Sequence, residues 1–299
     1  MTLAADPPHA PVTGRKTRSR PDAARREVTY RHTRVTRLTH WVNVVAFIVL
    51  LMTGLQIFNA HPALYWGQSG SETETTSTFL SIQSQNRNGE VVGVTRLGPL
   101  RFESTGVLGV SERDGQTVQQ GFPSWATIPS HRDLSSGRLW HFFFAWVLVL
   151  NGLLYLGVGL LNRSFGRKMW PTREELRHIG HSIWEHARFK WPEGEEAKKY
   201  NVVQKLTYLV VLLGLFPLVI LTGLTMSPGF NAFAPVLLDV FGGRQSARTL
   251  HFIAAALLVG FVLLHVGLVL VTGVWNNMRS MISGRYVIKH PAEGTPDAH

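Results

Sequence analysis

Four histidines of this 299-residue chain lie within strongly apolar stretches, namely His40, His141, His251 and His265. An imidazole at membrane depth is costly without a partner, so such a residue indicates a functional site by default. Two of them share one apolar segment and stand fourteen residues apart, which on a helix is about 40° short of four full turns and a rise of about 21 Å. His251 and His265 are therefore predicted to lie on one helix face, near opposite surfaces of a bilayer.

The histidines need membrane-spanning helices to position them. Apolar windows of about 20 residues are typical of such helices, and they occur at about 38–58, 139–161, 202–226 and 250–275. We therefore predict an all-α integral membrane protein, a four-transmembrane-helix bundle with a long extracytoplasmic loop between helices 1 and 2. The chain has no cysteine, which excludes disulfides, iron–sulfur clusters and covalent haem attachment.

The charge distribution predicts the orientation. The formal net charge is +11, and four spans would place both termini on one side, together with the loop 162–201. That side holds most of the Lys and Arg residues, so the positive-inside rule predicts cytoplasmic termini in a multi-pass protein of the bacterial inner (plasma) membrane. Residues 1–37 are predicted to be a basic, disordered tail that contacts membrane lipid. No nucleic-acid partner is expected, because no nucleic-acid-binding module is visible.

This orientation sorts the four histidines by depth. The first span runs outward while the second and fourth run inward, so His40 matches His265 at the inner side and His141 matches His251 at the outer side. The members of each pair come from different helices, as ligands on opposite faces of a haem must. We predict two bis-His haems b, which bind iron through His40 and His265 inside and through His141 and His251 outside.

Other roles for these histidines are less favourable. Two-His sites at separate depths, without carboxylates or cysteine, are poor for zinc. A proton relay would normally link acidic groups, and the four predicted spans contain no Asp or Glu. For any single histidine, a hydrogen bond to a neighbouring helix is an equal alternative.

Further residues are predicted to surround the haems. Arg37, Arg138 and Arg248 each stand three positions before a histidine, on the same side of the helix, and could bind haem propionates. Equally, these arginines could only mark the ends of the spans. Gly54 follows His40 by fourteen residues, so it is predicted to leave room for a porphyrin at outer depth.

A short internal repeat links the first and third spans. "LLMTGL" occupies 50–55 and "VILTGL" occupies 219–224, which favours a haem-packing role for their glycines. Leu209 stands where the repeat would need a histidine, so the third span is predicted to carry no haem ligand. Pro217 is expected to kink it.

The segments outside the spans also carry signals. The outer loop 62–135 is polar and Gly-rich with strand-like pieces, and loops of this length are usually functional or disordered. Residues of about 172–188 predict a cytoplasmic amphipathic helix that begins with a capping box of Thr172 and Glu175. The histidines of that helix have no usual metal-ligand spacing and are predicted to be solvated. Residues 276–299 form a cytoplasmic tail.

Several motifs accompany the histidines: "RLTHW" at 37–41, "RLWHFFFAW" at 138–146, "YNVVQK" at 200–205, "VILTGLTMSPG" at 219–229 and "GRQSARTLHF" at 243–252. With these motifs the chain resembles the prokaryotic di-haem cytochrome b561-like family, the b-type cytochrome subunits of nickel–iron hydrogenases and formate dehydrogenases. Within that group it is most similar to the cytochrome b partners of molybdopterin oxidoreductases. The resemblance covers roughly residues 30–286 apart from the outer loop.

The resemblance implies a function. Such a subunit is a membrane anchor, without catalytic residues of its own, that passes electrons between the quinone pool and a partner oxidoreductase through two haems b. It also implies a quinone site near the inner haem at Asn201 and Gln204, although Asn201 could equally cap a helix. The expected partner is a periplasmic molybdopterin enzyme at the outer loop. The alternatives are an autonomous ferric or superoxide reductase acting at the outer haem, and a haem-free transporter whose histidines carry protons.

Overall fold

The computed structural model describes residues 26–69, 78–162, 170–180, 182, 184 and 202–289. Within this part of the chain, four helices are long and apolar enough to cross a membrane, which confirms the predicted fold class. The first span is Arg34–Phe58, the second is Leu134–Leu161, the third is Val202–Thr225 and the fourth is Arg244–Val271.

Three of the spans begin earlier than their apolar windows predict. Polar caps explain two of these starts, since the side chain of Thr33 accepts from the Thr36 amide and that of Asp133 accepts from the Ser136 amide. The fourth span ends at Val271 rather than near 275. Gly273, with φ of 104°, breaks the helix before a separate surface helix, Val274–Ser283.

The third span is irregular where Pro217 predicts a distortion. Helix Val202–Leu209 passes into a π-helical segment, Val210–Leu215, and helix Phe216–Thr225 completes the span. Proline has no amide hydrogen to donate to the preceding turn, so the regular hydrogen-bond ladder cannot continue through it. The Phe216 amide instead donates to the Val211 carbonyl, five residues back.

The four spans pack as two pairs. The first span packs along the second, and the third packs along the fourth. The two pairs face each other, and histidines from opposite pairs meet across the space between them. The fold therefore presents the four histidines along one inner seam.

The long outer loop is a small β domain, in agreement with its strand-like sequence. The N-terminal strand β1 is Arg26–Tyr30; the outer strands are β2 Ala63–Tyr65, β3 Thr78–Arg87, β4 Glu90–Leu97, β5 Leu100–Glu103, β6 Gly109–Arg113 and β7 Gln116–Gln120. The outer strands form one sheet of the order β2-β3-β4-β5 and a separate hairpin of β6 and β7, and all pairings are antiparallel. Its core joins Leu64 and Ile82 to Phe58 of the first span, with Phe252 of the fourth span packed alongside.

Hydrogen bonds fasten this domain to the start of the fourth span. The Gly67 carbonyl accepts from the amides of Gln245 and Ser246, and the Ser246 hydroxyl accepts from the Gly67 amide at 2.7 Å. The first amides of an α-helix have no acceptor within the helix. Here the Gly67 carbonyl provides one, because no side chain caps the start of the fourth span. The domain therefore fixes the end of the helix that carries His251.

The opposite end of the bundle is also closed by strands. β1 pairs antiparallel with β8, Arg285–Lys289, so residues 26–30 are ordered rather than part of a disordered tail. Five residues of β1 pair with five residues of β8. The Asn276 side chain holds β8 in place, because it donates to the carbonyl of Val287 and accepts from its amide. Residues 1–25 of the predicted N-terminal tail and 290–299 of the C-terminal tail lie outside the described residues.

The surface helix near residue 172 begins as predicted. The capping box of Thr172 and Glu175 is present at the start of helix Arg173–Arg177, which confirms that prediction. Of the remaining residues predicted in this helix, 181, 183 and 185–188 lie outside the described part of the chain.

We predict that Asn59→Ala loosens the outer domain. Asn59 is 2% exposed, and its side chain donates to the Phe122 carbonyl at 3.0 Å and accepts from the Phe122 amide at 2.6 Å. Buried groups left without partners cost about 1–3 kcal/mol each. Proteolysis within 78–120 should become faster, with a lower thermal midpoint. Asn162→Ala, at an exposed helix end, is the control, and equal proteolysis rates for both variants would contradict the prediction.

Candidate functional site

The structure brings the four histidines together in the two pairs that depth matching predicts. His40 of the first span faces His265 of the fourth, with ring centroids 6.4 Å apart. His141 of the second span faces His251 of the fourth, with centroids 6.2 Å apart. Each pair thus takes its members from two different helices.

The centroid separations fit a metal ion between two imidazoles. A metal–nitrogen bond of about 2.0–2.1 Å, as for zinc and imidazole, and about 1.1 Å from that nitrogen to the ring centre give about 6.2–6.4 Å for a linear pair. Two imidazoles joined directly by a hydrogen bond of about 2.9 Å would be closer, at about 5.1 Å. The described residues contain no group of three or more His, Cys, Asp or Glu suited to a metal ion. The pairs therefore suit a metal whose other ligands come from a macrocycle.

Hydrogen bonds define the tautomer of the outer pair. His251 Nδ1 lies 2.9 Å from the Val219 carbonyl and 3.2 Å from the Thr222 hydroxyl. A carbonyl can only accept, so Nδ1 carries the hydrogen and Nε2 keeps its lone pair. His141 has the same surroundings on the first span, with Nδ1 3.1 Å from Thr53 Oγ1 and a hydrogen bond to the Leu50 backbone.

The inner pair has different neighbours. Phe261 stacks on His265 with centroids 5.8 Å apart, and Trp41 packs edge-on against His40 at 5.5 Å. The Trp41 indole also donates to the Met281 carbonyl at 3.2 Å, which ties the His40 turn to the surface helix Val274–Ser283. Among the described residues, no hydrogen bond to the ring nitrogens of His40 or His265 is seen.

Gly54 lies beside a histidine ring. A Cβ added at Gly54 would lie 3.3 Å from Cε1 of His141, and one at Gly223 would lie 3.3 Å from Cε1 of His251. The sequence predicted that Gly54 makes room for a porphyrin. In the structure its missing side chain makes room for an imidazole.

The three arginines lie near the ends of the spans in different environments. Arg37 donates to the Ile282 carbonyl, while its buried Nε has no partner. Arg248 donates to the His61 carbonyl and its guanidinium lies 5.6 Å from the Phe58 ring centre. Arg138 is exposed, 5.6 Å from the Phe142 ring centre. Their assignment to propionates stays a prediction.

Of the two residues predicted to bind quinone, the structure describes only one. Asn201 lies outside the described residues, whereas Gln204 is partly buried in the first turn of the third span. Next to it, Lys205 Nζ contacts both carboxylate oxygens of Glu175, at 2.7 and 2.9 Å. This ion pair joins the surface helix Arg173–Arg177 to the start of the third span.

Sequence reasoning missed the hydrogen-bonding roles of Thr53 and Thr222. The signal was present in the "LLMTGL" and "VILTGL" repeat, but only the glycines were interpreted. Of the surface-helix histidines, the exposed His178 lies 3.0 Å through Nδ1 from the Glu174 carbonyl. His181 and His186 lie outside the described residues.

Comparison with known proteins agrees with this geometry. The model of the family described as prokaryotic cytochrome b561 matches residues 31–284. A candidate protein-methionine-sulfoxide reductase subunit, YedZ1 of Azospira oryzae, is 25% identical over 233 residues, which cover 78% of this chain and 86% of that protein. The region that the family model matches contains all four histidines of the two pairs.

We predict that Glu175→Gln releases the surface helix from the third span. Desolvation raises the pKa of Glu175, but hydrogen bonds from Lys205 and Thr172 outweigh it and hold the pKa below its usual value. For a lowered carboxylate pKa, the stabilisation is present at neutral pH and is lost as pH falls through that value. Amide exchange in 172–180 should therefore rise at neutral pH in the variant, and in the native protein only in acid.

Glu174→Gln is the matched control for this prediction, because Glu174 lies on the same short helix and is exposed. It should leave amide exchange unchanged after correction for the intrinsic pH dependence of the rates. The same increase in both variants would show that the Lys205–Glu175 contact does not hold the helix.

Proposed function

The chain belongs to the prokaryotic cytochrome b561 family, and from that premise we propose that it transfers electrons across the membrane through two haems b. Membership of this family implies a membrane protein that binds haem b and carries electrons. The finer proposal is that His40 and His265 hold the inner haem while His141 and His251 hold the outer one. The observation that supports it best is that the two histidines of each pair face each other, with ring centroids 6.4 Å apart in the inner pair and 6.2 Å apart in the outer pair.

The protein's residues would set the environment of each haem. Each haem, when bound, supplies reversible one-electron exchange between ferric and ferrous iron. Neutral imidazoles suit this task, because they donate through Nε2 without adding charge to an apolar layer. Arg37, Arg138 and Arg248 lie toward the span ends, where their guanidinium groups could bind propionates.

In the proposed orientation, the inner pair lies near the cytoplasm. The ribbon of β1 and β8 lies at the His40 end of the first span, and the outer β domain lies at the His251 end of the fourth. The excess of Lys and Arg at the ribbon end supports cytoplasmic termini and a periplasmic outer domain. The location that follows is the inner membrane of a bacterium.

Quinone would exchange electrons at the inner haem. Gln204 lies in the first turn of the third span and Asn201 precedes it by three positions in the sequence; amide side chains of this kind can donate a hydrogen bond to a quinone carbonyl. Lys205 and Glu175 form an ion pair at this edge of the protein, in which the Lys205 side chain is 11% exposed and the Glu175 side chain 35% exposed. The inner site is thus polar at the membrane surface, as a quinone head group requires.

The outer domain would receive a partner enzyme. The Azospira oryzae relative is named as a candidate subunit of a reductase that acts on methionine sulfoxide in proteins. This supports electron flow from quinol to the inner haem, then to the outer haem and to a periplasmic reductase, which we expect to be a molybdopterin enzyme. The outer domain supports such docking because it is folded and fastened to the helix that bears His251.

We predict that single histidine substitutions remove one haem each. The native protein should contain about two haems b per chain, and His251→Ala or His40→Ala should retain about one, because each substitution breaks a different pair. Pyridine haemochrome analysis and a redox titration measure the number and identity of the haems. His131→Ala, an exposed histidine outside the spans, is the control. Loss of both haems from folded single variants would contradict the pairing, and a native protein without haem would reject the function.

We also predict that quinol electrons enter only through the inner haem. In vesicles with a ubiquinol analogue, the haem kept by His251→Ala should be reduced at the native rate, because the inner site is intact. The haem kept by His40→Ala should stay oxidised. Stopped-flow absorbance in the haem α-band measures both rates, and rapid reduction of the His40→Ala protein would contradict the assignment.

A further inference from the structure

The first and third spans present the same three features to the outer pair of histidines. Thr53 Oγ1 lies 3.1 Å from His141 Nδ1, and Thr222 Oγ1 lies 3.2 Å from His251 Nδ1. The next residue in each span is a glycine beside the same imidazole, where an added Cβ would lie 3.3 Å from the histidine Cε1. The third feature is the backbone of the residue three positions before each threonine: the Val219 carbonyl lies 2.9 Å from His251 Nδ1, and the Leu50 backbone hydrogen-bonds the His141 imidazole.

The glycines explain why these carbonyls are accessible. In an α-helix, the side chain at position i+4 lies over the turn before it and covers the carbonyl of residue i. Gly54 is four residues after Leu50, and Gly223 is four residues after Val219. The carbonyl already accepts one hydrogen bond from an amide of its own helix. Without a Cβ at the glycine position, an imidazole N–H can approach the same carbonyl and donate a second hydrogen bond to it. Any added Cβ would meet Cε1 of the histidine at 3.3 Å, which is tight packing.

The threonines complete the hydrogen-bonding surface. Each Thr hydroxyl donates to the carbonyl four residues back, at 2.6 Å for both Thr53 to Val49 and Thr222 to Leu218. With its own hydrogen used in this way, the hydroxyl oxygen can only accept from the histidine. Both threonines are fully buried, so no water competes for that contact.

We propose that Thr53–Gly54 and Thr222–Gly223 are two equivalent threonine–glycine notches that hold His141 and His251 as Nδ1–H tautomers and so reserve both Nε2 atoms for the outer haem iron. These are positioning residues, since they act through the imidazoles. The inference rests on the proposed haem function and extends it to residues outside the ligand set.

The notches distinguish the outer pair from the inner pair. Acceptors at the distal nitrogen fix the ring orientation of a metal-bound histidine and raise its basicity. His141 and His251 have such acceptors, whereas the rings of His40 and His265 have none among the described residues. Stronger donation from Nε2 stabilises ferric over ferrous iron, so the notches lower the reduction potential of the outer haem alone.

The threonine is tested by isosteric substitution in the full-length, haem-loaded protein. Thr53→Val and Thr222→Val should keep two haems per chain, while the ferric/ferrous equilibrium constant of the outer haem shifts toward ferrous by about threefold to tenfold. For a one-electron couple this corresponds to a potential about 28–59 mV higher. The ferric electron paramagnetic resonance signal of the same haem should shift, and Thr→Ser at either position should restore both properties.

Thr225→Val is the matched control for the threonines. Thr225 is one turn from Thr222, is equally buried and donates to the Leu221 carbonyl at 2.8 Å, but it has no histidine contact. This variant should leave both haems unchanged. An unchanged or lowered outer potential in the two Thr→Val variants, or an equal shift in the Thr225→Val protein, overturns the proposal.

The glycine is tested by adding one methyl group. Gly54→Ala and Gly223→Ala should displace the imidazole and weaken outer haem retention by about 10–100-fold, the range for removed outer-shell support of a metal ligand. Gly157→Ala is the control, because a Cβ at that position of the second span meets nothing within 4 Å. Native retention of the outer haem in both Gly→Ala variants overturns the notch assignment.

Two observations separate failure of this inference from failure of the proposed function. The outer haem is identified independently, as the spectral component that is absent from the His251→Ala protein. If the native protein holds two haems but the Thr→Val and Gly→Ala variants leave that component unaltered, only the notches are rejected. If the native protein holds no haem, the proposed function fails first.

Discussion

An imidazole inside a membrane must satisfy both of its nitrogens, one as a hydrogen-bond donor and one as an acceptor or metal ligand. The other features of this fold follow from that requirement, because each partner must come from a neighbouring helix. Of the outer pair, His251 donates from Nδ1 to a helix carbonyl, and its ring centroid lies 6.2 Å from that of His141, which leaves room for a metal ion between the two rings. Their helices therefore cannot rotate or slide without leaving a polar group unsatisfied in an apolar layer.

The extramembrane parts restrict the same helices at both ends. At the outer end, the Gly67 carbonyl caps the fourth span and the Asn59 side chain pairs with the Phe122 backbone. At the inner end, Arg37 and Trp41 donate to the carbonyls of Ile282 and Met281, on either side of His40 in the sequence. A short β ribbon then closes this end of the bundle. Electron transfer needs fixed distances between donors and acceptors, and these contacts supply a rigid frame for them.

Much of this arrangement could be predicted from the sequence. Helix periodicity and bilayer thickness are general constraints, so a spacing of fourteen residues and the direction of each span suffice to match His40 with His265 and His141 with His251. The span starts were less accurate, because hydropathy does not register polar caps such as Thr33 and Asp133. Pairing of β1 with β8 joins residues more than 250 positions apart, which no local pattern indicates.

The surroundings of Gly54 could not be predicted from the sequence. A glycine on a helix that carries a predicted ligand suggests room for a large planar group, and the sequence offers no means to tell this from room for a neighbouring side chain. A Cβ at Gly54 would lie 3.3 Å from Cε1 of His141, so this glycine makes room for an imidazole. A role of Gly54 beside a porphyrin stays a prediction.

The repeat also exposes a difference between the two histidine pairs that residue counting alone conceals. At the outer site, the second and fourth spans each supply a histidine, and the first and third each supply a threonine–glycine notch, so the two helix pairs contribute alike. At the inner site this equivalence is broken. Fourteen residues before Gly54 stands His40, but the equivalent residue of the third span is Leu209. Fourteen residues after His251 stands His265, but the equivalent residue of the second span is Tyr155.

The inner histidines therefore come from the first helix of one pair and the second helix of the other. A symmetric site exposes the same surroundings on both sides, whereas an asymmetric one leaves its two sides chemically different. If the inner pair binds a haem that exchanges electrons with quinone, as proposed, one side of that haem must be open to a small diffusing molecule and the other closed. The asymmetry falls at the end of the bundle where Gln204, Lys205 and Glu175 are gathered, so it supports quinone exchange at the inner pair rather than at the outer pair, whose surroundings are two equal notches.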